Sequence, residues 1–285
     1  MATVQELLRR ADELLGDPGS TSDAAAGRRD AEILLGHCLG KSRSWLYTWP
    51  EQAVARDGEN QYFQLINERR RGVPIAYLTG EREFWSLQLL VNEHTLIPRP
   101  ETETMVEWAL QLALPTDARV LDLGTGSGAI ALALASERPL WKVTAVDASA
   151  KALGLARQNA TRTRLERVDF LCSDWFGALA RQRFTLLVSN PPYVDGDDPH
   201  LREGDLRFEP QTALVAGEQG LADLARLAQE APAHLVDGGW LLLEHGYQQA
   251  AQVRELLQEN GFSEISTRQD LAGLERITGG CWRAE

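Results

Sequence analysis

The sequence contains little cysteine and no cluster of histidines. Its three cysteines, Cys38, Cys172 and Cys281, are odd in number and far apart along a chain of 285 residues. This pattern argues against a disulfide framework and against a cysteine-bound metal cluster. The five histidines also lack the spacing of metal ligands. We therefore predict no metal site and interpret the cysteines as buried or incidental thiols.

Long apolar runs and basic stretches are missing too. No apolar run reaches the roughly 18 residues of a membrane-spanning helix, and residues 1–6 lack the basic and apolar regions of a signal peptide. Acidic residues (41) outnumber lysine and arginine (29), which gives a net charge of -12. Proteins that bind duplex nucleic acid normally carry a basic stripe, whereas the basic run here is confined to residues 69–71. We predict a cytoplasmic protein with no membrane partner and no direct nucleic acid partner.

The most informative motif that is present is Asn190-Pro191-Pro192-Tyr193, which follows an apolar, strand-like run at residues 184–189. Each proline fixes its own φ and removes a backbone N–H, so the motif predicts a stiff strand end with free carbonyl groups. The Asn190 side-chain oxygen and the Pro191 carbonyl can accept both hydrogens of an –NH2 group, and the Tyr193 ring can stack on it. The motif therefore predicts a planar amide or amine nitrogen as substrate, although a proline-rich turn is the alternative for the motif alone. The predicted catalytic residues are Asn190, Pro191 and Tyr193, and the predicted substrate-binding residues are Asn190, Pro191, Pro192 and Tyr193.

A glycine-rich loop lies upstream, between a predicted parallel strand at residues 118–123 and an apolar helix at residues 129–135. Glycines let the backbone approach a ligand, and the helix N-terminus presents free N–H groups to it. The spacing also fits a dinucleotide-binding fingerprint. The third glycine at position 128 and the carboxylate of Asp122, which we expect to meet the ammonium group of a bound amino acid moiety, favour S-adenosylmethionine. The loop residues predicted to bind this cofactor are Gly124, Thr125, Gly126, Ser127 and Gly128.

Two further strand ends complete the predicted cofactor site. Asp147 ends a predicted strand 23 residues after Gly124, the spacing expected of an acid that accepts hydrogen bonds from a ribose diol. After the next predicted strand, at residues 168–172, Asp174 is suited to accept from an adenine amino group and Trp175 to cover the adenine face. The alternatives are a helix N-cap for Asp147 and core packing for Trp175.

These motifs identify the chain as a member of the class I S-adenosylmethionine-dependent methyltransferases. Within them it closely resembles the family of protein-(glutamine-N5) methyltransferases that modify peptide chain release factors. Other segments that carry the resemblance are residues 78–81 (LTGE), 83–85 (EFW), 96–103 (LIPRPETE) and 270–273 (DLAG). The Arg99-Pro100-Glu101 run distinguishes the chain from sister enzymes that methylate a ribosomal protein glutamine. At residues 274–276 the sequence LER departs from the basic-acidic-basic triplet of the family, in a segment expected to be a solvent-side hairpin.

The resemblance implies an α/β fold with a seven-stranded, mostly parallel Rossmann-like sheet and a small N-terminal helical bundle. It implies an enzyme that uses S-adenosylmethionine and methylates the glutamine of the Gly-Gly-Gln loop in release factors. We also place Asn190 among the cofactor-binding residues. An adenine-N6 nucleic acid methyltransferase shares the Asn-Pro-Pro-aromatic motif, and it stays an alternative together with a ribosomal protein glutamine methyltransferase. Flipping a base would require a basic groove, which the acidic composition argues against.

The pattern along the chain predicts three regions. Residues 1–78 form a helical bundle for substrate recognition, which begins with a capping box at Thr3 and Glu6, is interrupted at residues 16–20 and resumes at residues 31–39. Residues 79–100 form a β-hairpin connector. Residues 101–285 form the methyltransferase domain, in which alternating strands and helices predict a parallel sheet covered on both faces. The family resemblance adds an antiparallel hairpin at its edge.

Overall fold

The computed structural model describes residues 1–16 and 24–284 and divides them into two compact units. The first unit, here called the helical unit, consists of Met1–Gly80 together with Pro199–Phe208. The second, here called the methyltransferase unit, contains the remaining described residues. Apart from Gly16, the break predicted at residues 16–20 lies outside the described residues. The recognition role of residues 1–78 stays a prediction.

The helical unit packs five helices around one apolar core. They are α1 (Val4–Leu15), α2 (Ala24–Leu39), α3 (Arg43–Thr48), α4 (Arg56–Arg70) and α5 (Ile75–Thr79). The predicted capping box is confirmed, because Thr3 Oγ1 accepts from the Glu6 N–H at 3.3 Å and Glu6 Oε2 accepts from the Thr3 N–H at 2.9 Å. The apolar stripe of α1 is buried against α2 and α4, with Leu7 and Leu34 both fully buried.

Inside this unit the carboxylate of Glu32 is buried, with 1% of its side chain exposed. It accepts hydrogen bonds from Arg28 Nε at 2.9 Å, Arg43 Nε at 3.0 Å and the Tyr47 hydroxyl at 2.5 Å. Burial raises the pKa of Glu32, but the hydrogen bonds from Tyr47, Arg43 and Arg28 outweigh this effect and hold the pKa below its usual value. The network is therefore a fully paired ion cluster that ties α2 to α3.

The methyltransferase unit opens with a hairpin of β1 (Glu81–Phe84) and β2 (Leu87–Leu90), inside the range predicted as a connector. Its two turn residues, Trp85 and Ser86, have φ angles of 50° and 61°, the left-handed conformation that a two-residue type I′ hairpin turn requires. A 3-10 turn (Pro100–Thr102) and α6 (Glu103–Gln111) follow. The hairpin is thus an ordered antiparallel element rather than a loose linker.

Strands and helices then alternate. The strands are β3 (Arg119–Leu123), β4 (Lys142–Asp147), β5 (Asp169–Cys172), β6 (Phe184–Ser189), β7 (Val194–Asp195), β8 (Val215–Ala216), β9 (Leu235–Glu244), β10 (Phe262–Gln269) and β11 (Glu275–Trp282). The helices are α7 (Ala129–Glu137), α8 (Ala150–Thr163), the short α9 (Gly217–Gly220), α10 (Ala222–Glu230) and α11 (Ala250–Glu259). Further 3-10 turns lie at Pro199–Arg202, Leu206–Phe208, Gln211–Ala213 and Ala231–His234.

Seven of these strands form one sheet in the order β10-β11-β9-β6-β3-β4-β5. Pairing is parallel from β9 to β5 and antiparallel for β10 with β11 and β11 with β9. Helices cover both faces, and alternate residues of β3 face opposite cores: Val120 packs in one apolar cluster, whereas Leu121 and Leu123 pack in the other. This arrangement confirms the predicted fold class. Among the described residues, no helix is both long and apolar enough to cross a membrane.

Candidate active site

A cavity of about 450 Å³ lies at the carboxyl edge of the parallel strands. Its wall includes residues that follow four strand ends: 124–127 after β3, Asp147 to Ser149 at the end of β4, 173–175 after β5, and Asn190 after β6. In open α/β sheets, ligands bind outside the carboxyl ends of the strands. The volume also lies within the usual range for small-molecule sites. The cavity is therefore the candidate active site.

The glycine loop turns sharply from β3 into α7. Gly126 has a φ of 55°, and a Cβ added there would meet no atom within 4 Å, so its backbone faces open space on the cavity. The N–H groups of Gly124 and Thr125 both donate to the Val146 carbonyl at 2.9 Å, which ties the loop to β4. The loop thus presents a bare backbone surface to a ligand.

Asp147 holds the same loop from the neighbouring strand. Its Oδ2 accepts from the Gly126 N–H at 2.8 Å and its Oδ1 from the Ser149 N–H at 2.8 Å. The N-cap of α8 is Ser149, whose side chain accepts from Ala152, so Asp147 is not that cap. Each carboxylate oxygen keeps further acceptor capacity toward the cavity. A diol at this position would meet an oriented carboxylate.

Trp175 and Asp174 form the far end of the cavity. A Cβ on Gly124, which has a φ of 74°, would lie 3.2 Å from the Trp175 ring, so the glycine allows the ring to approach the loop. Trp175 Nε1 donates to Asp223 Oδ1 at 3.2 Å, and Asp174 pairs with Arg226 at 3.0 Å. Asp223 also lines the cavity and was not identified from the sequence. Its position in the first turn of α10 gave no motif.

Two residues, Gly128 in the loop and Asp122 in β3, are located differently from the expectation. Gly128 does not line the cavity in the described structure; it has a φ of 85°, and a Cβ there would lie 3.2 Å from Leu132 and 3.3 Å from Ala156. Gly128 therefore permits close packing of the loop on α7 and α8. The expectation that Asp122 meets a cofactor ammonium group is wrong, because its side chain is fully buried and outside the cavity wall.

The carboxylate of Asp122 instead supports the loop from beneath. Its Oδ2 accepts from Thr125 Oγ1 at 2.6 Å and from the Ala131 N–H at 3.2 Å. Oδ1 is buried and has no hydrogen-bond partner among the described residues. Burial raises the pKa of Asp122 to about 7, against the opposing effect of these hydrogen bonds. Asp122 is thus a buried anchor between β3 and the first turn of α7.

The charge on the cavity wall distinguishes between a dinucleotide and S-adenosylmethionine, the two cofactors that fit the spacing of the glycine loop. The carboxylates that line the cavity are those of Glu93, Asp147, Asp174 and Asp223. The guanidinium of Arg99 also lines it but pairs with the buried carboxylate of Glu209. An acidic wall repels the pyrophosphate of a dinucleotide and attracts the sulfonium and ammonium groups of S-adenosylmethionine. The residues present therefore fit S-adenosylmethionine.

The tetrapeptide after β6 leaves the sheet at the other end of the cavity. Asn190 and Pro192 line it, whereas Pro191 and Tyr193 are not among its lining residues. Asn190 Nδ2 donates to Thr102 Oγ1 at 3.3 Å. No described group donates a hydrogen bond to Asn190 Oδ1 or to the Pro191 carbonyl. The two predicted acceptors are thus free of protein donors.

Tyr193 packs at the edge of one apolar cluster, and its hydroxyl donates to Glu244 Oε1 at 3.2 Å. Its carbonyl accepts from Gln249 Nε2 at 3.1 Å, and a Cβ on Gly220, which has a φ of 84°, would lie 2.2 Å from that carbonyl oxygen. The ring is therefore firmly held. Its stacking role stays a prediction, since the structure describes it beside the cavity rather than in its wall.

Sequence reasoning missed several residues that shape this end. Thr102 and the ion pair of Arg99 with Glu209 belong to segments far from the tetrapeptide in sequence, and Glu209 Oε2 also accepts from the Ile97 N–H at 2.9 Å. Glu244 ends β9, the parallel neighbour of β6. The rule that functional residues follow the carboxyl ends of parallel strands offered a signal for Glu244.

Asn159 joins the glycine loop to the hairpin. Its fully buried side chain accepts from the Leu90 N–H at 2.6 Å and donates to the Leu90 carbonyl at 3.0 Å and the Ser127 carbonyl at 2.9 Å. Strand β2 leads directly into residues 93–96, which line the cavity. One side chain therefore joins the glycine loop to the strand that precedes another part of the cavity wall. In the described part of the chain, no group of His, Cys, Asp and Glu side chains is arranged to hold a metal ion.

Comparison with known proteins gives two matching family models and many similar chains. Residues 104–204 match the model described as "Methyltransferase small domain", and residues 6–80 match "PrmC N-terminal domain". A release factor glutamine methyltransferase from Shewanella oneidensis is 52% identical over 89% of this chain and 88% of its own length. The protein of that name from Vibrio cholerae is 50% identical over 99% of this chain and 98% of its own. A crystal structure of a methyltransferase from Pyrococcus furiosus, 18% identical, has a TM-score of 0.53 over 70% of this chain and 90% of that one, which shows the fold alone.

Proposed function

The chain belongs to the family of release factor glutamine methyltransferases, and we propose that it methylates the glutamine side chain in the Gly-Gly-Gln loop of bacterial peptide chain release factors. In this reaction the amide nitrogen, N5, would form a bond to the methyl carbon of S-adenosylmethionine as the bond from that carbon to sulfur breaks, with release of S-adenosylhomocysteine and of one amide proton to solvent. Identity of about half over most of the chain to relatives of that name supports this assignment. The acidic cavity wall suits the positively charged methyl donor, S-adenosylmethionine.

The observation that carries the proposal is the pair of free acceptors at Asn190 Oδ1 and the Pro191 carbonyl. A glutamine amide nitrogen shares its lone pair with its carbonyl and is a weak nucleophile. Accepting both amide hydrogens fixes the amide plane and stabilises the positive charge that grows on nitrogen as the C–N bond forms. Thr102 supports this role, because it engages Asn190 Nδ2 and leaves Oδ1 to face the substrate.

S-adenosylmethionine supplies an activated methyl group on a sulfonium centre. The protein therefore has mainly to orient the nucleophile, and orientation is worth roughly 7–11 kcal/mol. Tyr193 holds the flat amide group by stacking, and Pro192 closes the same wall. A general base is not needed before the bond forms, since the methylated nitrogen becomes strongly acidic and then loses its proton.

We assign the cofactor-binding roles to the opposite end of the cavity. The glycine loop approaches the cofactor with its backbone, Asp147 accepts from the ribose hydroxyls, Asp174 accepts from the adenine amino group and Trp175 covers the adenine face. Gly128 acts through packing, because its Cβ position is closed by α7 and α8. Asn190 borders both the cofactor and the substrate. The helical unit is proposed to recognise the release factor, and the enzyme is proposed to act in the cytoplasm.

The test is methyl transfer from labelled S-adenosylmethionine to a purified release factor, with no nucleic acid present. We expect label on the release factor, and its loss when the Gly-Gly-Gln glutamine is replaced by alanine. Incubation with a nuclease-treated and a protease-treated cell extract gives the control. Label that disappears with nuclease and survives protease would favour the adenine methyltransferase instead.

A further inference from the structure

The carboxylate of Glu244 lies directly behind the proposed amide site. In the parallel pairing of β6 with β9, Ser189 is aligned with Leu243, so the next residues lie side by side: Asn190 just after β6, and Glu244 as the last residue of β9. Glu244 is buried, with a relative exposure of 1%, and does not line the cavity. It therefore acts on a substrate only through other residues.

Two of its neighbours belong to that site. The Tyr193 hydroxyl donates to Glu244 Oε1 at 3.2 Å. Thr102, whose Oγ1 accepts from Asn190 Nδ2 at 3.3 Å, acts on the same carboxylate through its hydroxyl. Glu244 Oε2 is buried with no hydrogen-bond partner among the described residues. One carboxylate thus connects the first and the last residue of the tetrapeptide.

The surroundings of Glu244 raise the pKa of its carboxyl group and favour the uncharged form. Burial raises its pKa to about 7, while the hydrogen bonds from Thr102 and Tyr193 and the positive charge of Arg276 oppose this effect, and the charge of Glu101 adds to it. The residue that follows β9 is His245, whose pKa burial lowers, so that its neutral form predominates at neutral pH. The carboxylate therefore titrates near physiological pH.

We propose that Glu244 is a positioning residue of the amide site, which in its ionised form holds the hydroxyl groups of Tyr193 and Thr102 and thereby fixes the Tyr193 ring and the Asn190 amide. A carboxylate accepts from both hydroxyls at once. A protonated carboxyl carries a donor of its own and loses acceptor capacity, which releases one of the two side chains. The inference rests on the proposed function and names no new substrate contact.

The test is the rate of release factor methylation by Glu244→Gln. Because a hydrogen bond to a charged group is replaced by one to a neutral group, we expect kcat to fall about 10- to 100-fold. The KM for the release factor and the Kd for S-adenosylmethionine should change less than about threefold, since neither ligand touches Glu244. Glu244→Asp, which keeps the charge, should recover part of the rate.

The pH profile separates positioning from a merely structural role. For the wild type, kcat should fall as pH decreases through about 7, where Glu244 takes up a proton. In Glu244→Gln that acidic limb should flatten. Adding Tyr193→Phe to Glu244→Gln should cost little more than the larger single effect, because the two residues act as a pair. Glu137→Gln, an exposed carboxylate on α7 outside the cavity wall, is the matched control.

The outcomes distinguish this inference from the proposed function. A wild type that binds S-adenosylmethionine and leaves a release factor unlabelled would overturn the proposed function. A wild type that labels the release factor, with Glu244→Gln equally fast at every pH, would overturn the positioning role alone. Equal losses in kcat and in cofactor affinity would also overturn it, since they indicate a general distortion of the unit.

Discussion

A buried carboxylate of the helical unit, Glu32, and a buried carboxylate of the methyltransferase unit, Glu244, are held in opposite ways. Glu32 and Glu244 are equally buried, each with a relative exposure of 1%. Glu32 receives hydrogen bonds from two arginines and a tyrosine, and its pKa is lowered. In the described part of the chain, Glu244 interacts with no arginine at hydrogen-bonding distance but with two hydroxyl groups, that of Tyr193 at 3.2 Å and that of Thr102. One of its oxygens has no partner among the described residues, and burial raises its pKa to about 7.

The difference reflects what each unit must do. A buried charge is tolerated in a structural core only when it is paired and hydrogen-bonded, as Glu32 is. An incompletely paired carboxylate costs stability, and such groups concentrate at functional sites. Asp122 belongs to the second class, because it has an unpaired buried oxygen and a pKa raised to about 7, and it lies under the glycine loop. Glu32 thus serves the folding of the helical unit, whereas Asp122 and Glu244 support residues that border the cavity.

The largest effect expected from this contrast is at Asn190, which should matter for chemistry and little for folding. Asn190→Ala removes one of the two acceptors, so the glutamine still enters but rotates freely. An oriented hydrogen bond in the transition state is worth roughly 2.7–4 kcal/mol, so kcat should fall by about 100- to 1,000-fold. Steady-state methylation of a release factor measures this.

Two comparisons sharpen the Asn190 result. Asn190→Asp should also be slow, because its charge attracts the sulfonium and disturbs the approach of the methyl group. Both variants should melt close to the wild type, since Asn190 is only partly buried at a strand end. Full turnover by Asn190→Ala would show that the acceptor pair is not the centre of the mechanism.

A smaller loss is expected at Asp147, in cofactor affinity rather than in rate. Asp147→Ala should weaken S-adenosylmethionine binding by about 1.5–3 kcal/mol, the range for hydrogen bonds to a charged group. The change also frees the Gly126 and Ser149 N–H groups that Asp147 now holds. Calorimetric titration with S-adenosylmethionine gives the affinity. Tight binding of NAD by the wild type, with none of S-adenosylmethionine, would refute the cofactor assignment.

That the glycine loop, Asp147 and residues 174–175 border one cavity was predictable, because they are local in sequence, and their contacts with the cofactor stay a prediction. The glycine loop occupies consecutive residues, and Asp147, Asp174 and Trp175 follow the next strand ends in order. The error at Asp122 has a simple cause, since side chains alternate along a strand. Asp122 shares a face with Val120 and therefore points toward α7 rather than the cavity. The alternation of side chains along β3 therefore predicted a buried Asp122, whereas its place next to the glycine motif suggested a cofactor contact.

The end of the cavity at Asn190, where we propose the amide site, was predictable only in part, because it is assembled from distant segments. Asn190 was identified by its motif. Glu244 lies near it because β9 pairs with β6, and Glu209 lies where the chain returns after residue 208. Thr102 contacts Asn190 from 88 residues away. Asn159 is a similar case, because it contacts Leu90 from 69 residues away. Such contacts depend on tertiary register, which periodicity along one strand or helix does not encode.

At Glu32 we expect the reverse of the effect at Asn190, namely a loss of stability with little loss of rate. Glu32→Gln keeps the shape but removes the charge that Arg28 and Arg43 bind. Those arginines are 42% and 47% exposed, so water solvates them, and we expect a loss of about 1–2 kcal/mol in the free energy of unfolding of the helical unit. Hydrogen exchange of the α2 amides measures this locally. If the loss in kcat, expressed as a free energy, exceeded the loss in the free energy of unfolding, Glu32 would not have a purely structural role.

The smallest expected effect is a difference in how pH changes stability. Glu244 has a folded pKa of about 7 against a usual value of 4.5, so between these values the folded protein binds a proton that the unfolded chain does not. Stability contributed by that proton is present below about pH 4.5 and is lost as pH rises through 7. For Glu32, whose folded pKa is lowered, the contribution is present above the unfolded pKa and is lost as pH falls.

Glutamine at either position removes the titration, and the two variants should therefore diverge. Between pH 6 and pH 8 the stability of Glu244→Gln relative to the wild type should rise by on the order of 1 kcal/mol, or about 2–4 °C in Tm. Over the same range the deficit of Glu32→Gln should stay constant, because its titration lies at lower pH. Thermal melts of the three proteins in matched buffers measure both trends. Parallel trends in the two variants would mean that the buried carboxylates of the two units are not of different kinds.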